Sequence, residues 1–161
     1  MKISKALKMK NRLAGDIAIL KQRITENNVT VVGHDVEFDV SELYGKLLKT
    51  TESLVVVKTA IAISNGGSVV KPSSIHNTNA FRIYEMAEIK GIIEMLRGLD
   101  TKHGKFNEGI RYVAGEPIVT EYRACFTKPV VDGMVAGLTD KLEVIQDAID
   151  AFNATTDFEV D

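Results

Sequence analysis

The sequence predicts a mainly α (α+β) fold: an antiparallel bundle of long helices, or coiled-coil-like helical hairpins, carrying one or two small β-hairpins. Three observations carry this. In three long segments the apolar residues recur at alternating steps of three and four, the spacing that lines one face of a helix, and a fourth carries a broader apolar face. Between them, valine-rich and aromatic-rich runs follow strand preference instead. Glycine, proline and serine gather in one of the intervening stretches and mark a break.

In the first segment Ile3, Ala6, Lys10, Leu13, Ile17, Leu20 and Ile24 share one stripe, with Lys10 its only polar member. Its length suits a coiled coil as well as an amphipathic bundle helix. Asn27 and Asn28 are expected to end it. The run from Val29 to Phe38, interrupted by Gly33, His34 and Asp35, predicts a short β-hairpin or an extended connector.

A second helix starts at Asp39, which can accept from the backbone of Glu42 while Glu42 reaches back. Phe38 can pack on Leu43, so a capping box and a hydrophobic staple coincide. Val40, Leu43, Leu47, Thr50, Leu54, Val57 and Ile61 carry the stripe on towards Ser64. The following SNGGSVVKPSS, with Gly66, Gly67 and Pro72, predicts a turn or exposed loop. It does not fit a phosphate-binding loop, which needs its glycines to lead into a lysine and a helix start.

A third helix is expected from about Ala80 to Leu99. The breadth of its apolar face, Met86, Ile89, Ile92, Ile93, Leu96 and Leu99, implies burial on more than one side. IRYV and IVTEYRACF, separated by AGEP, then predict a β-hairpin within a β-rich insert at about 105–129. The last helix fills every seam position with an apolar residue, Val131, Val135, Leu138, Leu142, Ile145, Ile149 and Phe152, and Asp132 is its expected N-cap. The alternation in TTDFEV predicts a short closing strand.

A length of 161 residues suits one domain, 1–161, and 45% hydrophobic with 26% charged residues is the composition of a folded chain. The net charge of −2 gives no bulk attraction for nucleic acid. Tyr112, Tyr122 and Phe126 beside Arg111 and Arg123 could form a stacking platform for single strands. Without a basic surplus around them, packing within the hairpin is the expectation, and no nucleic-acid partner is predicted.

Cys125 is the only cysteine, which excludes an intrachain disulfide and a thiolate metal cluster; it is expected to be a small buried hydrophobe on a strand. The opening MKISKALKMKNRLAG lacks the apolar stretch of a secretory signal. The most apolar window, Leu54 to Ile63, is too short to span a bilayer and contains Lys58, so no membrane span is predicted. The expected location is the cytoplasm, or a virion if the chain is phage-encoded.

Charge is segregated along the chain. Residues 1–23 hold Lys2, Lys5, Lys8, Lys10, Arg12, Lys21 and Arg23 against Asp16. Residues 132–161 hold Asp132, Asp140, Glu143, Asp147, Asp150, Asp157, Glu159 and Asp161 against Lys141. The first and last helices are therefore electrostatically matched, as neighbours within a chain or between chains, or else they present two solvated faces.

No catalytic, cofactor-binding or metal-binding residue is predicted. His34, His76 and His103 fall in separate loops with no second ligand at metal spacing. Ser73 and Ser74 near His76 lack the orienting turn and oxyanion donor that a nucleophile needs.

Four segments together resemble the septicolysin-like family of small helical bacterial and phage proteins. They are KISKALKMKNRLAGDIAILKQRI, DVSELYGKLLKT, IYEMAEIKGIIEMLRGL and VDGMVAGLTDKLEVIQDAIDAFNATTDFEV. Asn153, Thr155 and Thr156 are similar to the Asn-x-Thr-Thr ending of that family, with Ala154 where a tryptophan is common. The resemblance implies a bundle of long helices with small β elements and brings no catalytic residues. The chain departs from the family in its SNGGSVVKPSSIHNTN loop and its IRYVAGEPIVTEYRACF hairpin.

The expected function is that of a non-catalytic, self-associating structural or assembly protein, a homo-oligomer or a component of a phage particle or other large assembly. Its packing or interface residues are expected among Ile3, Leu13, Ile17, Leu20, Ile24, Leu138, Leu142, Ile145, Ile149 and Phe152. The rival readings are an enzyme or small-ligand protein whose site is assembled from distant residues, and a membrane-active cytolysin-like protein.

Overall fold

The computed structural model describes residues 1–68, 71–113 and 116–157. The protein is mainly α, with a small antiparallel sheet. In chain order the elements are α1 (Ile3–Asn27), β1 (Val29–Val31), α2 (Val40–Asn65), a 3-10 turn (Pro72–Asn77), α3 (Asn79–Arg97), β2 (Gly104–Val113), β3 (Glu116–Ala124) and α4 (Lys128–Thr155).

Local chemistry sets the helix starts. The Asp39 carboxylate accepts the Glu42 N–H at 3.2 Å, whereas the Glu42 side chain turns outward to Lys46 at 2.9 Å, so half of the expected capping box forms. The Thr78 hydroxyl accepts the Phe81 N–H at 3.2 Å and opens α3. Asp132 is not the N-cap of α4. The helix begins at Lys128, after Thr127, because Pro129 sits in the first turn with its φ already fixed for a helix. Asp132 lies one turn inside and pairs with Lys128.

The segment from Val29 to Phe38 does not close a hairpin on itself. Gly33, at φ +93°, turns the chain after β1 into an extended connector. β1 instead takes the free edge of β3, with Val29 opposite Ala124 and Val31 opposite Tyr122. On the other side of β3, β2 pairs antiparallel, Lys105 opposite Glu121, giving the order β1-β3-β2. This ladder is irregular between Asn107 and Tyr112, where Gly109 adopts φ +94°. The strands thus cover 104–113 and 116–124 of the β-rich insert, the first half of the expected AGEP turn lies outside the described residues, and residues 128–129 are already helical. The 3-10 turn occupies the Pro-Ser end of the predicted loop. The closing strand predicted at TTDFEV reaches beyond residue 157, outside the described residues.

The helices pack in chain order: α1 on α2, α2 on α3, and α3 on α4. Leu13, Ile17 and Ile24 of α1 meet Leu47 and Leu54 of α2 and Leu96 of α3 in the larger core. Ile89 and Ile93 of α3 meet Ile145 and Ile149 of α4 in a smaller one. The broad face of α3 is therefore buried on two sides, each fully buried aliphatic side chain contributing about 1.5–3 kcal/mol.

Asn28 joins helices to sheet. It is 1% exposed, and its amide donates to the Asp100 and Phe126 carbonyls at 2.8 and 3.0 Å while its Oδ1 accepts the Phe126 N–H at 2.8 Å. Its own carbonyl accepts the Cys125 N–H at 2.8 Å. Phe126 enters the core edge-on to Tyr44, ring centroids 5.7 Å apart. Cys125 is not buried: Ala124 and Phe126 point inward, and the two-residue alternation of extended chain sends the thiol out to solvent.

Candidate functional site

Of the two roles expected for the seam residues, packing or interface, most of them serve the chain's own core. Leu13, Ile17, Ile24, Ile145 and Ile149 are buried, and Leu20, Leu138 and Leu142 are partly buried against them. Ile3 and Phe152, near the outer ends of their helices, are exposed, and the polar seam member Lys10 is half-buried. α1 and α4 flank the α2–α3 pair without substantial packing on each other, and among the described residues no ion pair joins them.

What the two helices carry on their outward faces is a different stripe. On α1 the steps of four, three and four join Lys8, Arg12, Gly15 and Ile19, all exposed, with Ile19 at 48%. On α4 the same steps join Gly133, Gly137, Asp140, Val144, Asp147 and Ala151, all exposed, with Val144 at 69%. One stripe is basic and the other acidic, and each holds a bare aliphatic side chain.

A mid-helix glycine costs about 0.5–1 kcal/mol relative to alanine. A Cβ added at Gly15, Gly133 or Gly137 would meet nothing within 4 Å, so nothing among the described residues requires a small residue there. Among the described residues no ion pair engages Lys8, Arg12, Asp140 or Asp147. These stripes lie one or two residues away from the seams in sequence, but only the structure shows which stripe the core consumes.

A second polar feature decorates the sheet. Lys102 Nζ lies 3.0 Å from Glu108 Oε1 and over the Phe106 and Tyr122 rings at 4.7 and 4.1 Å, and the Tyr122 hydroxyl donates to the same carboxylate. The Tyr122 hydrogen bond, then that of Lys102, holds Glu108 below the usual carboxylate range. The hydrogen bond to Glu108 raises both Lys102 and Tyr122. Each group is pushed away from neutrality, the opposite of what proton transfer at pH 7 needs. Tyr122 meets Phe106 edge-on, centroids 5.9 Å apart, while the side chains of Arg111 and Tyr112 lie outside the described residues.

The histidines are dispersed. His34 follows the turn after β1, His76 tilts against Phe81 at 4.7 Å, and His103 Nδ1 accepts the Ala124 N–H at 3.0 Å. Among the described residues no three histidine, cysteine or carboxylate side chains cluster as metal ligands, and no helix is long and apolar enough to cross a membrane. No family model, curated protein or solved structure matches the chain, so the septicolysin-like resemblance rests on the segments quoted above.

Proposed function

We propose that the chain is a self-associating structural subunit in which α1 of one copy packs its outward stripe on α4 of another. The observation that supports this is the pair of complementary stripes, basic Lys8 and Arg12 against acidic Asp140 and Asp147, on outward faces of two helices that have no substantial packing on each other. The glycines allow close backbone approach, and Ile19 and Val144 supply apolar contact at the centre. Because α1 and α4 are different surfaces, the contact closes into a dimer if it is reciprocal. Otherwise it propagates into a ring or filament, as suits a component of a large assembly such as a phage particle.

Light scattering across protein concentration and salt tests the proposal. Association is expected to weaken as salt rises while the apolar contact retains part of it. Lys8→Glu with Arg12→Glu should leave a monomer, and adding Asp140→Lys with Asp147→Lys should restore association. A parent chain that stays strictly monomeric at high micromolar concentration overturns the proposal, as does a double reversal that fails to change the association state.

A further inference from the structure

The outward stripes of α1 and α4 fit each other better in one direction than in the other. At about 1.5 Å of rise per residue, Lys8 and Arg12 stand about 6 Å apart along α1, and Asp140 and Asp147 about 10 Å apart along α4. With the helices antiparallel and the midpoints of these two pairs level, Lys8 comes within about 2 Å of the height of Asp147, and Arg12 within about 2 Å of that of Asp140. Ile19 then stands at the height between Gly133 and Gly137, where a Cβ would meet nothing of the chain's own. Val144, 69% exposed, stands at the height between Lys8 and Arg12, whose long stems can lie along it. Each bare aliphatic side chain faces a gap in the other helix, as interdigitating helices require.

Parallel helices with the same midpoints level give the charges equally good partners, Lys8 with Asp140 and Arg12 with Asp147. They carry Ile19 past Ala151, however, and they leave Gly133 beyond Ile3, the first residue of α1. The charges therefore allow both directions, and Ile19 with the two glycines chooses the antiparallel one.

Direction fixes how whole copies are related. Asn28, just after α1, hydrogen-bonds Phe126, just before α4, so the end of α1 and the start of α4 share one end of the bundle. The two helices leave that end with opposite chain senses. The sheet is rooted there too, because β1 follows Asn28 and β3 runs into Phe126. An antiparallel contact between α1 of one copy and α4 of the next keeps both copies the same way up, whereas a parallel contact turns every second copy over.

We propose that the assembly is polar: α1 lies antiparallel to α4 of the next copy, and all the sheets emerge at one rim. Phe106, Ile118 and Val119, exposed on β2 and β3, are thereby repeated around that rim as one apolar surface, and the exposed Lys2 and Lys5 mark the opposite rim. This inference rests on the α1–α4 contact proposed above and adds its direction.

Disulfide cross-linking in a Cys125→Ser background reads the direction, at three exposed positions outside the charged pairs. One mixture combines Lys5→Cys chains with Ala151→Cys chains, and a second combines Ile19→Cys chains with Ala151→Cys chains. Antiparallel packing brings residues 5 and 151 within about 4 Å of one height and parts 19 from 151 by about 25 Å. Parallel packing brings 19 to 151 and parts 5 from 151 by about 19 Å. The first mixture is expected to form its mixed disulfide at least tenfold faster than the second. A faster second mixture overturns the polarity and leaves the α1–α4 contact standing. Chains that associate by light scattering while neither mixture cross-links place the interface elsewhere, which overturns the contact itself and the polarity with it.

Discussion

The Asn28 side chain treats the backbone of Phe126 as a neighbouring strand would, donating to its carbonyl at 3.0 Å and accepting its N–H at 2.8 Å. One amide thereby fastens the end of α1 to the chain just before α4. It also donates to the Asp100 carbonyl just after α3, so the ends of three helices meet at one buried residue.

Removing that amide should be expensive. Asn28→Ala leaves Phe126 N–H and two carbonyls without partners at a position only 1% exposed, and a loss of about 3 kcal/mol or more is expected. Asn28→Asp should be no better, because it turns an acceptor towards carbonyls that need a donor. Urea denaturation measures both. A change below about 1 kcal/mol in Asn28→Ala would mean that water or a relaxed backbone replaces the amide.

Two adjacent residues separate core from surface on α4. Ile145 is buried against Ile89 and Ile93, so Ile145→Asp should cost at least about 3 kcal/mol and lower the melting temperature by roughly 10 °C. Val144 is 69% exposed, so Val144→Asp should change stability by less than about 0.5 kcal/mol. The same substitution should weaken association, because it would place a charge at the centre of the proposed contact. Thermal melts and light scattering on the pair decide both points.

The contrast between those residues also explains what could be read in advance. The three-four spacing identifies α1, α2 and α4, and the broad apolar face identifies α3, because a helix must repeat its buried apolar residues at its own period. It does not say whether Ile145 or Val144 faces a neighbour of the same chain. The β1 pairing was hidden for another reason: Val29 to Val31 meets a partner far away in sequence, and local pattern carries no register for such a contact. Asn28 looked like a helix terminator, and it is one, but its three side-chain hydrogen bonds come from segments around residues 100 and 126. Cys125 was misplaced because free cysteine is usually buried, while the alternation beside Ala124 and Phe126 was the better guide.

The cluster on the sheet predicts opposite pH responses at its two acids. Glu108 is held below its usual range, so its contribution is present above the ordinary carboxylate pKa and is lost as pH falls through the depressed value. Tyr122 is raised, so its contribution is present below the ordinary tyrosine pKa and is lost as pH rises through the raised value. Ring-labelled tyrosine NMR should show Tyr122 ionising above the usual value in the parent. In Glu108→Ala it should return to that value or fall below it, because Lys102 then faces the phenolate alone. Tyr44, raised by burial, should not respond to this change. An unmoved Tyr122 midpoint would show that the hydrogen bond to Glu108 does not form in solution.

The glycines of α4 separate folding from assembly. Gly133 and Gly137 lie one turn apart on the outward face, and a Cβ at either position would meet nothing within 4 Å. Alanine there restricts the unfolded chain and improves helix propensity without a clash, so Gly133→Ala with Gly137→Ala should stabilise the isolated chain by about 1–2 kcal/mol. If α1 of a second copy approaches the backbone at that stripe, the two added methyl groups hold it away and association weakens as the fold strengthens. Gly137→Leu should carry that further, blocking association while remaining folded. Denaturation below the association threshold and light scattering above it read the two effects separately. Alanine variants that are more stable and still associate like the parent would move the contact off the Gly133, Gly137 and Val144 stripe.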